Sequence, residues 1–136
     1  MFVVRALLVT TLISAITGPA LAQSSAKGEE PSFQDRPLSA WVQDLTGAAA
    51  PYSRLAAAYA ISSMGAAGAP AVPALIRSLK DDNNAVRYAS AIALREIGPP
   101  AAAAVPALQE AREDRNDDVA HMARKALLAI TGEPSE

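Results

Sequence analysis

Cysteine is absent from this 136-residue chain, and histidine occurs once, at position 121. The first absence excludes disulfides, thiolate nucleophiles and thiolate metal sites, so the fold must rest on core burial alone. The second leaves imidazole metal binding without the several converging donors it needs. Catalysis of the Ser-His-Asp kind would need His121 oriented by a carboxylate and set against a serine. Asp117 lies four residues earlier, but no serine falls nearby in the repeat register described below. His121 therefore reads as a solvent-facing helix residue. No catalytic site, metal or cofactor is expected.

Clustered positive charge is also lacking. Twelve Lys and Arg stand against 14 Asp and Glu, scattered along the chain. Nucleic-acid binding rests on basic groups that neutralise phosphates, so this balance argues against it. Nor is there an apolar run of the ~20 residues that spans a bilayer. The apolar stretch Ala6–Ile16 is shorter and is interrupted by Thr10, Thr11 and Ser14. Preceded by Arg5 and followed by Gly18, Pro19 and Ala20-Leu21-Ala22, it has the layout of a secretory signal peptide. Residues 1–22 are accordingly expected to be removed. The mature chain would start near Gln23 with 11 basic and 14 acidic residues, in a periplasm or outside the cell and without a membrane span. Residues 23–36 read as a flexible leader, 37–132 as the folded domain and 133–136 as a polar tail.

What the sequence has is internal repetition. Arg54-Leu-Ala-Ala-Ala-Tyr-Ala-Ile-Ser-Ser-Met-Gly65 recurs as Arg87-Tyr-Ala-Ser-Ala-Ile-Ala-Leu-Arg-Glu-Ile-Gly98, and Val72-Pro73-Ala74-Leu75 as Val105-Pro106-Ala107-Leu108, each 33 positions on. A fixed period of this size marks a stacked array. Each unit carries two helical patterns. Val72, Leu75, Ile76 and Leu79 share one face at i, i+3, i+4, i+7; Val86, Ala89, Ala93, Leu94 and Ile97 share another. Asp81-Asp82-Asn83-Asn84 breaks and caps between them, and Gly98 with Pro99-Pro100 closes the unit. The third unit repeats this with Val105, Leu108, Val119, Met122, Ala126, Leu127 and Ile130. A degenerate first unit is legible in Leu38, Trp41, Val42 and Leu45. The acidic loops lack the central Gly and terminal Glu of a calcium-binding EF-hand, so they read as caps.

The run Val86-Arg87-Tyr88-Ala89-Ser90-Ala91-Ile92-Ala93-Leu94-Arg95-Glu96-Ile97-Gly98, with the Ala-Val-Pro-Ala-Leu that follows, resembles HEAT repeats, most nearly the short subtype first described in phycobilisome lyases. The resemblance covers about residues 37–132. It implies an all-α, right-handed α-solenoid of about three helix pairs, with the second helices on the concave side. It also implies a ladder between units from Arg54 and Arg87 to Asp81 and Asp114. Gly47 stands where the first unit would carry its Asp, and Ala120 where the third would carry its Arg. The family's lyases are longer, act inside the cell and work with a partner subunit; this chain departs from all three, and no lyase activity is carried over.

Taking 100° per residue, Tyr88, Ile92 and Arg95 point away from the buried face of their helix, as do Leu55 and Tyr59 on the helix before. This apolar, aromatic stripe predicts a surface for another protein or a peptide segment. Two other roles are open for it: a seat for the leader with its Phe33, or a homodimer contact. A different reading makes the protein an assembly module that associates through uncapped solenoid ends, where Met122, Leu127, Leu128 and Ile130 lie at one end and Trp41 near the other.

Overall fold

A computed structural model describes residues 28–134. The secretory-signal reading of residues 1–22, the first part of the leader and the last two residues of the tail lie outside the described residues.

Six α-helices form three antiparallel pairs: α1 (Leu38–Gly47) with α2 (Pro51–Ser63), α3 (Val72–Ser78) with α4 (Asn84–Ile97), and α5 (Val105–Ala111) with α6 (Asp117–Thr131). The second helices α2, α4 and α6 stack on one another along the array. The result is an all-α solenoid of three helix pairs.

The local chemistry accounts for the helix boundaries. Asn83 caps α4 by accepting bonds from the N–H groups of Ala85 and Val86, and Asn116 caps α6 by accepting from Val119. Each cap satisfies amides that the first helical turn leaves without partners. At the other ends stand Gly65, Gly98 and Gly132, at φ +55°, +74° and +73°. These are conformations that L side chains rarely adopt, which is why glycine closes each unit in register. Between units the chain does not pass straight into the next α-helix. It first winds through 3₁₀ turns, Gly65–Ala71 and Pro99–Ala104, before Pro73 and Pro106 open α3 and α5 near their first positions.

The core runs the length of the array. Leu45, Ile61, Leu75, Val86, Leu94, Leu108 and Val119 are its largest fully enclosed apolar side chains. Between the stacked second helices the enclosed residues are mostly small: Ala57, Ala58, Ala89, Ala91, Ala93, Ala123 and Ala126 are all 0 % exposed. Side chains this small let helix backbones approach closely, and they leave the few large residues to fill most of the volume.

The segment read as a leader through Arg36 needs correcting at its end. Ser32–Phe33 and Arg36–Pro37 pair as a two-residue antiparallel hairpin (β1 and β2) whose turn places Gln34 and Asp35 at φ +52° and +58°. The hairpin is tied to α1. The Leu38 amide donates to the Pro31 carbonyl, and Trp41 Nε1 donates to the Phe33 carbonyl at 3.3 Å. The Arg36 guanidinium lies 4.3 Å from the Trp41 ring centre while its Nη1 meets Asp44 at 2.6 Å. Arg36 thus combines a cation–π contact with an ion pair, and it holds the Asp44 carboxyl below its ordinary value through their hydrogen bond.

Candidate functional site

Two sets of side chains run across the units, and they lie on different sides of the second helices.

The first set links the layers. Arg54 on α2 grips Asp81 with Nε at 2.7 Å and Nη2 at 3.0 Å, and Arg87 on α4 grips Asp114 with Nε at 2.8 Å and Nη2 at 3.0 Å. The third nitrogen of each guanidinium turns back to its own unit. Arg54 Nη1 donates to the carbonyls of Ala48 and Ala49, and Arg87 Nη1 to those of Asp81 and Asp82. Each Asp also accepts from the amide two residues ahead, Asn83 for Asp81 and Asn116 for Asp114, which fixes the loop that feeds the next helix. Burial alone would raise these carboxyls. The hydrogen bond from the arginine, the loop amide and the nearby positive charges outweigh it, so both Asp81 and Asp114 sit below the ordinary carboxylate range. The Arg87–Asp114 pair is nearly enclosed, with side chains 6 % and 10 % exposed. At Ala120 there is no guanidinium to continue the series.

The second set is the predicted stripe, which is turned about 100–140° around the same helices from the ladder arginines. Leu55, Tyr88 and Ile92 are half-buried and pack one edge against the core, while Tyr59 remains 44 % exposed. The stripe is therefore less outward-facing than helix geometry alone suggests: its rings and methyls line a shelf rather than project from it. Arg95 closes one side. Its Nε and Nη2 both donate to Glu96 Oε1, at 3.0 and 2.6 Å, and its Nη1 reaches the Met122 sulfur on α6 at 3.7 Å. The equivalent α6 positions hold His121, Lys125 and Leu128, all exposed. A cleft of about 420 Å³ lined by Asn84, Ala85, Tyr88, Asn116 and Asp118 adjoins the shelf at the start of α4 and α6.

The expectation of uncovered apolar ends is not met. Met122, Leu127 and Ile130 are buried by the solenoid itself, and Leu128 alone of that group is exposed. At the other end Trp41 lies under the hairpin. One further feature went unread although it is visible in the repeat alignment. Ala58 and Ala91 stand four residues beyond Arg54 and Arg87, on the side that faces the following layer, and both are enclosed. The same register in α6 holds Arg124, which is exposed. Reading the repeats for substitutions in the last unit, and not only for matches, finds it.

Among the described residues no group of three or more His, Asp or Glu is placed to hold a metal ion. No described helix is long and apolar enough to cross a membrane. Compared with known proteins, the chain matches the family described as HEAT repeats over residues 38–128, from the first residue of α1 to within α6. No curated protein matches it.

Proposed function

The chain belongs to the HEAT-repeat family, and on that premise we propose that it is an exported, non-catalytic binding protein that holds a segment of another protein against the concave face of α2, α4 and α6. HEAT repeats in general mediate protein–protein interaction. The observation that carries the reading is the continuity of the shelf formed by Leu55 and Tyr59 on one layer and Tyr88 and Ile92 on the next. A half-buried shelf with an exposed tyrosine offers apolar area at little entropic cost, together with a hydroxyl able to bond a peptide backbone. Export rests on the signal-like layout of residues 1–22. The resemblance to the short lyase subtype contributes no catalytic role to this reading.

The test compares the protein with a Tyr59→Asp/Tyr88→Asp variant in affinity capture from the exported fraction of the source cells, with the variant's fold checked by circular dichroism. Partners held by the parent and lost by the folded variant support the groove. Identical captures, or capture only of further copies of the chain, overturn it.

A further inference from the structure

We infer that the groove selects an extended, acidic protein segment, with apolar side chains on α2 and α4 and a side-chain carboxylate between Arg95 and Lys125; this rests on the concave-face reading above. The charge pattern of the face points there. At the concave positions α2 presents Leu55, Tyr59 and Ser62, with no charge. The same register gives Tyr88, Ile92 and Arg95 on α4, then His121, Lys125 and Leu128 on α6. The shelf is uncharged and aromatic at one end; the other carries Arg95, paired with Glu96, and Lys125, an excess of one positive charge.

Arg95 is paired with Glu96 but keeps one nitrogen without an oxygen acceptor, and Lys125 has no ion pair among the described residues. Arg95 offers two of its nitrogens to a single oxygen of Glu96 and directs the third, Nη1, onto the thioether of Met122. A thioether is a weak acceptor, and a carboxylate would displace it readily. That same contact brings the guanidinium over α6, one turn before Lys125, and Lys125 makes no ion pair among the described residues. A carboxylate placed there would gain two cationic donors beside the Tyr88 and Ile92 shelf.

Spacing sets the motif. Packed helices stand about 8–10 Å apart, and an extended chain advances about 3.3 Å per residue. One layer is therefore crossed in about three residues. The segment would carry an apolar or aromatic residue for each of the first two layers and an Asp or Glu about three residues beyond the second.

A library of linear peptides roughly twelve residues long, enough to cross all three layers, is selected on the full-length protein. The enriched peptides are then measured by fluorescence anisotropy. Acidic residues are expected about three positions from an apolar anchor. Affinity should fall roughly tenfold with Arg95→Gln or Lys125→Gln and weaken with added salt. Lys125 is exposed, so Lys125→Glu leaves the fold intact and should turn the selection from acidic toward basic peptides. Peptides that need Tyr59 and Tyr88 but show no acidic bias, and that ignore Lys125→Glu, overturn this inference and leave the groove standing. If no peptide is selected, or those selected ignore Tyr59→Asp/Tyr88→Asp, the groove itself fails and this inference with it.

Discussion

Arg87 and Asp114 stand 27 residues apart in the chain, yet their side chains meet in a bidentate pair at 2.8 and 3.0 Å, with the arginine almost entirely out of water. The same guanidinium holds the carbonyls of Asp81 and Asp82 behind it. One side chain therefore fixes the distance between two loops that belong to neighbouring layers. Alanine-lined helix faces pack closely but offer little shape to define how far one helix has slid along the next. A directional link with fixed geometry supplies that definition.

Removing the acceptor should be costly for that reason. Asp114→Asn leaves Arg87 buried without its counter-charge. We expect a loss of about 2–3 kcal/mol in urea unfolding, somewhat below the 3–5 kcal/mol of a fully buried pair because the carboxylate keeps some solvent contact. An unchanged midpoint would mean that the pair contributes only register.

Acid should weaken the same links. Asp81 and Asp114 have folded-state values below the ordinary range, so they bind fewer protons folded than unfolded. Their contribution is complete above the ordinary carboxylate value of about 4 and is lost as the pH falls below it. Melting temperature should therefore drop below about pH 4 more steeply in the parent protein than in an Asp81→Asn/Asp114→Asn variant. Parallel curves would show that other carboxylates govern acid stability.

The scarcity of large core residues makes each one count. Leu94 and Leu108 are both 0 % exposed, and truncation of either to alanine should cost ~2–4 kcal/mol by chemical denaturation. Against a typical total of about 5–15 kcal/mol, such a loss is easily measured. A stability indifferent to Leu94→Ala would remove it from the core.

Gly98 offers a backbone test. Its φ of +74° with ψ of −143° suits glycine alone, although a Cβ there would meet nothing within 4 Å. Gly98→Ala should therefore destabilise through strain and not through a clash, by about 1–3 kcal/mol. A neutral result would show that the turn relaxes without loss.

Trp41 is the single tryptophan and reports on the hairpin. Arg36→Ala removes both the stacking guanidinium and the Asp44 pair. The emission maximum should move to longer wavelength as the indole gains water, with little change in the melting temperature of the helices. No spectral change would mean that the Trp41–Phe33 hydrogen bond suffices to dock the hairpin.

How much of this could be read beforehand divides along physical lines. The helix faces were legible because Val72, Leu75 and Leu79, like Val86, Ala93, Leu94 and Ile97, obey the helical period, and all of them are buried. The ladder residues stood out through register and resemblance. The hairpin did not, because Ser32 to Pro37 is short, polar and turns through two non-glycine residues at positive φ. The 3₁₀ turns hid inside small-residue runs such as Gly65–Ala71, whose composition fits a loop as well as a helix start. The stripe's half-burial was beyond a helical wheel, which gives directions on one helix and not how closely its neighbours curve around it.

Arg124 has a consequence for how such a protein can change length. The interface between layers one and two and that between layers two and three use the same materials: an enclosed alanine at position 58 or 91 and an arginine–aspartate link one turn away. A duplicated middle unit inserted after Gly98 would meet another middle unit on one side and the third unit on the other, each through an arginine–aspartate link of the kind already present. A further unit of the same kind placed after Gly132 would meet a charged side chain at 124 and no donor at 120. Variation in the number of layers, whether evolved or engineered, is therefore directed to the interior of the array, where each inserted copy would lengthen the concave face by one layer and leave both termini as they are.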